Sequence, residues 1–204
     1  MNSLVVYCHP NPDSFIAAMR ERVVTALTDA GHDVRLTDLY GDGFDPLFSP
    51  DEHAQHREVG SHPDVAHHVA DLQWCEQLVL VYPTWWSGPP AMLKGWVDRV
   101  WVRGAAWELP DGGNRLRGRL RNVRRLVVVT SHGSPKWINA VQGEAGKRLV
   151  SRTLRSTCHP LARTTWIAIY GVDRSTPGQR ADFLEALPRR VAGRRRRVRT
   201  AAGG

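Results

Sequence analysis

A chain of 204 residues with 28 Lys and Arg against 20 Asp and Glu, and a formal charge of +8, has the length of one domain with a sizeable core. No apolar run approaches the roughly 20 residues that a membrane span needs, and the cysteines Cys8, Cys75 and Cys158 form no CxxC pair, so neither membrane insertion nor a disulfide framework is expected. The charge is lopsided: Arg189, Arg190, Arg194, Arg195, Arg196, Arg197 and Arg199 supply nearly all of the excess, and no acid follows Glu185. We therefore divide the chain into a nearly neutral domain, 1–188, and a basic tail, 189–204, expected to be disordered. No aromatics interleave with those arginines, and nucleic acid is not an expected partner. The opening MNSLVVYC leads straight into a strand without a cationic flank or cleavable segment, which makes a cytoplasmic protein with free buried thiols the expectation.

In chain order, Leu4–Tyr7 reads as a first strand, and Ser14 to Ala30 as a helix with Phe15, Met19, Val23, Ala26 and Leu27 at helical spacing. Gly31 stops it. Val34–Leu36 is a second strand, followed by the turn-rich DLYGDGFDP, in which Asp38 and Asp45 shape the turn. Residues 49–62 read as polar and irregular, and Val65–Gln77 as a helix. Leu78–Tyr82 is a fully apolar third strand. Ala91–Val102 is helical, and Ala105–Gly118 is a loop or short hairpin. Leu126–Thr130 is the fourth strand, Ala140–Leu154 a helix, Thr165–Tyr170 the fifth strand, and Gly178–Val191 the last helix.

Five apolar strands alternating with helices predict a parallel sheet covered on both faces. With right-handed crossovers, the economical topology is a doubly wound five-stranded sheet in the order 2-1-3-4-5. Its crevice lies beyond the ends of strands 1, 3 and 4. Those ends carry HPNPDSF, PTWWSG and TSHGSP, and their convergence predicts one binding site.

Each loop suggests a chemistry. His9 to Phe15 leads into a helix start, whose free N–H groups and partial positive charge suit a phosphate. Ser14 or Asp13 can cap the helix, which is compatible with that role. There is neither a GxGxxG nor a GxxxxGK[ST] motif. In the second loop, Trp85 and Trp86 offer flat faces to a planar heteroaromatic ring, and one of them is expected to lie partly in the core. Trp96 looks like packing or a subunit contact. The small residues Thr130, Ser131, His132 and Gly133 let backbone N–H groups approach a ligand carbonyl. His53, His56, His62, His67 and His68 form a His-rich stretch with few other ligands at metal spacing, and no metal is expected.

Four ordered segments resemble the flavodoxin-like NAD(P)H:quinone oxidoreductases of the DT-diaphorase type, over residues 3–185. YPTWWSGPPAMLKGWVDRV is similar to the family's F-P-x-Q-W-x-x-x-P-A-x-L-K-G-W-x-[DE]-R-V. YCHPNPDSF, TDLYGDGFDP and TSHGS resemble its phosphate loop, its DLY…F-[ND]-P segment and its TTGGS loop. The resemblance implies a flavodoxin-like fold and a bound flavin, FMN or FAD. It also implies two-electron transfer by hydride from NAD(P)H to a quinone or similar small-molecule acceptor. His9, Ser14, Phe15 and Ile16 are then expected at the flavin phosphate and ribityl chain. Pro83, Thr84, Trp85, Trp86 and Ser87 hold the ring, and Thr130, Ser131, His132 and Gly133 face its pyrimidine edge. Trp107 is expected to line the acceptor pocket, in a homodimer with the active site at the interface. Some family members are instead regulatory ancillary subunits of potassium-efflux-type transporters, which is the alternative reading.

The chain departs from the pattern at informative places. Trp85 stands where the family has Gln, Ile16 where it has Asn, and His132 where it has Gly. The Tyr and His that support charge on the reduced flavin have no counterpart in KWINAVQGEAG. Either His132 substitutes as the catalytic residue, or backbone donors suffice.

Overall fold

The computed structural model describes residues 1–110 and 112–192. Five strands form one parallel sheet: β1 (Asn2–Tyr7), β2 (Asp33–Asp38), β3 (Gln77–Pro83), β6 (Arg125–His132) and β7 (Arg163–Tyr170), in the order β2-β1-β3-β6-β7. This is the expected doubly wound topology, with a two-residue hairpin of β4 (Trp107–Glu108) and β5 (Arg117–Gly118) between its third and fourth strands.

The alternation of side chains across a strand sorts the core into two layers. Leu4, Val6, Leu78, Leu80, Tyr82, Leu126 and Val128 face one side, where α3 (Ala66–Trp74) and α4 (Ala91–Val100) cover them. Val5, Tyr7, Val79, Val81, Val127 and Val129 face the other, under α1 (Phe15–Asp29) and α8 (Pro177–Val191). The central strand β3 is buried along its whole length, while the edge strands β2 and β7 are partly open. The three thiols are buried and free, and burial pushes Cys8 and Cys75 up to about 12 and Cys158 up to about 11. They carry negligible thiolate at neutral pH.

Three expectations need correction. Residues 49–62 are not wholly irregular: α2 (Pro50–Gln55) starts with a capping box in which Ser49 Oγ accepts from Glu52 N and the Glu52 carboxylate accepts from Ser49 N. The single helix expected over 140–154 is broken. α5 (Lys136–Val141) ends at Gly143 (φ +85°) and Glu144 (φ +47°), and α6 (Ala145–Arg148) then runs into a π-helical stretch, Leu149–Leu154, and α7 (Arg155–Thr157). Left-handed backbone at consecutive residues cannot continue a right-handed helix. Finally, the boundary expected at 188/189 falls inside α8. Val191 is fully buried, its carbonyl accepts from Gln77 Nε2 (3.4 Å), and Ala192 O accepts from Arg125 Nη1 (3.2 Å). The rest of the expected tail, 193–204, lies outside the described residues.

Candidate active site

Strand register brings the three loops together. Tyr7 pairs with Val81, Tyr82 with Thr130 and Pro83 with Ser131, so the chain leaves β1, β3 and β6 side by side. Thr84 N donates to Ser131 O (2.8 Å), and the His9 and Trp85 rings meet at 6.2 Å. The loops after β3 and β6 enclose an open cleft of about 760 Å³, lined by Thr84, Trp85, Trp86 and Ser87 on one side and His132, Gly133 and Ser134 on the other. Asn139 and Gln142 complete it.

The second loop is a tight hairpin. Trp85 and Gly88 exchange both backbone bonds at 3.0 Å, and the two residues between them, Trp86 (φ +48°) and Ser87 (φ +62°), are left-handed. That is the hairpin turn that glycine and asparagine usually occupy. Here it is built from two residues for which the conformation costs on the order of 1 kcal/mol each. Two tethers impose it: Ser87 Oγ donates to Gln142 Oε1 (2.6 Å), and Gly146 N donates to Ser87 O (3.2 Å). The result is a fully exposed Trp86 and a Trp85 that is 42% exposed. Neither indole is core, contrary to the expectation for one of them. Trp96 does lie in the core, fully buried and edge-on to Trp101 at 6.0 Å.

Behind the cleft runs a directed chain of hydrogen bonds. Asn139 Nδ2 donates to the carbonyls of Ser134 (3.2 Å) and Pro135 (2.9 Å), which leaves its Oδ1 to accept from His132 Nδ1 (2.7 Å). The neutral imidazole therefore carries its proton on Nδ1. Its Nε2 accepts from the Thr84 hydroxyl at a longer 3.4 Å, and Thr84 Oγ1 lies 2.9 Å from Thr130 Oγ1. The ring is 5% exposed and stacks on Tyr170 at 4.6 Å. Burial lowers its pKa, opposed by the Asn139 bond and by Glu144. A neutral, buried His132 with both nitrogens engaged ties the two loops together and has no N–H to offer a ligand.

The other expected residues separate by burial. Ser14 caps α1, accepting from Ala17 N at 3.1 Å. Among the described residues the N–H groups of Phe15 and Ile16 in the first turn have no backbone or side-chain acceptor, in keeping with the lack of intrahelical partners at a helix start. The Phe15 ring packs on Phe183, and Ile16 is buried in the core under α1, so both meet the loop only through backbone. Pro83, Thr130 and Ser131 are likewise buried at strand ends. Trp107 lines a different cavity of about 270 Å³, with Phe48, Trp101 and Val102. It is not brought to the cleft of its own chain. Asn139 and Gln142 were missed, because both reach the site only when α5 folds back over the β6 end.

These residues fit a flavin. The cleft is lined by no charged side chain, which suits a neutral planar ring with a hydrogen-bonding edge. Flat indoles stand at its lip, and unused helix N–H groups lie beside it for a phosphate. With its Oε1 taken by Ser87, Gln142 keeps an NH₂ group for a ring carbonyl. The His-rich stretch gives one group of donors within 4.8 Å of each other among the described residues, Glu52, His62 and Asp64. Arg99 already occupies its carboxylates, bonding Glu52 (2.7 Å) and Asp64 (2.6 Å). Asp38 and Asp45 each cap the turn after β2, accepting from Gly41 N and Leu47 N at 2.9 Å. No described helix is long and apolar enough to cross a membrane.

Comparison with known proteins agrees with this fold. The model of a family described as having a flavodoxin-like fold matches residues 1–187. An NAD(P)H oxidoreductase of Haemophilus influenzae is 36% identical over 64% of this chain and 64% of its own length. The NAD(P)H dehydrogenase [quinone] 1 of Cavia porcellus is 30% identical over 93% of this chain and 75% of its own. Among solved structures, an NAD(P)H:quinone oxidoreductase from Methanothermobacter marburgensis superposes with a TM-score of 0.81 at 25% identity, covering 95% of this chain and 98% of that one. The chain spans 58% and 64% of the length of two of the curated relatives it matches.

Proposed function

The chain belongs to the flavodoxin-like NAD(P)H:quinone oxidoreductase family, and we propose from that premise that it is a flavin-dependent NAD(P)H oxidoreductase acting on quinones or similar electron-poor aromatics. The observation that carries this reading is the uncharged cleft at the ends of β3 and β6, with indoles at its lip and the open first turn of α1 beside it. A bound flavin, FMN or FAD, would supply the redox chemistry of two-electron transfer between NAD(P)H and the acceptor.

The protein's own part is binding and orientation. The first-turn N–H groups of Phe15 and Ile16 hold the flavin phosphate in the positive field of the α1 terminus. Trp86, pinned outward by its strained turn, covers a ring face. The Gln142 amide and the backbone donors of Gly133 and Ser134 meet the ring's polar edge, where negative charge is stabilised by fixed dipoles. His132 keeps the two loops at a fixed separation and, being neutral, adds no charge to the cleft. A homodimer is part of the reading. Trp137 and Val141, one turn apart on α5, are 68% and 83% exposed near the cleft, and a role for Trp107 in the acceptor pocket requires a second copy of the chain to bring it there.

The test is anaerobic mixing of the flavin-loaded protein with NADPH or NADH, followed by a quinone. Bleaching of the flavin band by the nicotinamide and its return on adding quinone is the expected result. A flavin that neither donor reduces would refute the oxidoreductase reading.

A further inference from the structure

We propose that the concavity between the β4–β5 hairpin and the 57–60 loop is a phosphate-binding site, with Arg103, Arg117 and Arg119 as its cationic groups. The cavity measures about 360 Å³ and contains three arginines and one carboxylate, Glu108, beside the apolar Val59, Leu109 and Pro110. It shares no residue with the cleft that holds Trp86 and His132, so it stands independently of the flavin reading.

Backbone geometry builds the charge cluster. Glu108 pairs with Arg117 across the hairpin, and Arg119 N donates to Ala106 O (2.9 Å), which continues the extended backbone past β5. Residues two apart in an extended segment share a face, so Arg117 and Arg119 stand together. The loop closes the floor from the other side. Gly60 N donates to Arg103 O (3.2 Å), and Gly104 has a positive φ of +87° that favours glycine, with Val59 Cγ1 only 2.6 Å from where a Cβ would stand. Arg103 Nη1 then bonds the Arg57 carbonyl, which fixes the guanidinium at the cavity.

Among the described residues the cations outnumber their counter-ions. Arg119 pairs with Glu108 at 2.6 Å, with both side chains well exposed. Among the described residues, neither Arg103 nor Arg117 has a carboxylate within ion-pair reach, and Arg103 Nε has no hydrogen-bond partner. Like charges held together by the backbone are relieved by an anion. The planar guanidinium fork matches phosphate oxygens two at a time. The apolar wall suits the organic remainder of a phosphate monoester. The phosphate can belong to a phosphorylated nicotinamide dinucleotide or to an unrelated phosphorylated molecule.

The experiment is calorimetric titration of the full chain, at low ionic strength, with inorganic phosphate, adenosine 2′-monophosphate and adenosine 5′-monophosphate. Arg117→Ala and Arg119→Ala are compared with Arg22→Ala, an exposed α1 arginine far along the chain, and thermal melts establish folding. Saturable binding that weakens about tenfold in the two hairpin variants but less than about twofold in Arg22→Ala is expected. Tighter binding of the 2′-phosphate than of the other two assigns the site to the dinucleotide phosphate; equal binding of all three assigns it to phosphate in general. No saturable binding, or binding that Arg117→Ala and Arg119→Ala leave unchanged or that all three variants weaken alike, overturns the site.

Discussion

Replacing Asn139 by Ala isolates the hydrogen-bond chain behind the cleft. Asn139 is 4% exposed and makes three bonds: from His132 Nδ1, and to the carbonyls of Ser134 and Pro135. Net loss of such bonds is worth about 1 kcal/mol apiece, and a buried N–H left without an acceptor costs about 1–3 kcal/mol. His132 is 5% exposed, so water replaces the lost acceptor only if the loop opens. We expect a stability loss of about 2–4 kcal/mol, read as a lower urea midpoint at unchanged slope. The His132 pKa should fall further, because the Asn139 bond is one of the influences that raise it. Asn139→Asp should raise it instead, through a full negative charge on the same acceptor. A loss below about 0.5 kcal/mol, or a nitrogen-15 spectrum placing the His132 proton on Nε2, would refute the directed chain.

Trp86→Ala should weaken flavin binding several-fold, since an aromatic contact contributes about 0.5–1.5 kcal/mol beyond its area, while leaving the melting temperature nearly unchanged because the ring is fully exposed. Trp96→Ala should instead cost about 3–5 kcal/mol of stability through its cavity, and the two melts beside two flavin titrations check this. A chain ending at Ala192 should melt like the whole protein. One ending at Pro188 should lose about 1.5–3 kcal/mol with the burial of Val191, and equal melts would sink that assignment. Stability should decline on acidification from about pH 6.5 towards 4. His68 is pushed down to about 4 by burial first, then by His67, so the unfolded chain takes up the proton first and the folded state loses on the order of 3 kcal/mol across that window. Urea midpoints from pH 7 to 4 test it, and a flat profile would contradict the sign.

The layered sheet was legible because Leu4 and Val6 alternate with Val5 and Tyr7, and Leu78, Leu80 and Tyr82 with Val79 and Val81, in runs too apolar for anything but a central strand. From that order, the meeting of the three loops followed. The capping box at Ser49 and Glu52, and the Leu187–Val191 helical spacing, were also present in the sequence. The polar residues around the first obscured it, whereas the helix was read through to Val191 and only the domain boundary, drawn at the flanking arginines, cut into it. The inner workings of the cleft were not legible. His132 could be seen only as a histidine after a strand. Its neutrality comes from burial, and its tautomer from Asn139, an acceptor that faces it only once α5 has turned back. The Ser87–Gln142 bond spans 55 residues and has no local signature. The resemblance to family members carried Trp107 to the acceptor pocket without saying which copy of the chain supplies it.

The central claim is that the cleft between the β3 and β6 loops binds flavin, and its most direct measurement is titration of FMN and of FAD with the purified protein, followed by flavin fluorescence and the visible spectrum. The expected result is quenching that saturates at one flavin per chain for at least one of the two, with a shifted absorption band, and weaker binding in Trp86→Ala. A folded protein that leaves the fluorescence and spectrum of both flavins unchanged would contradict it.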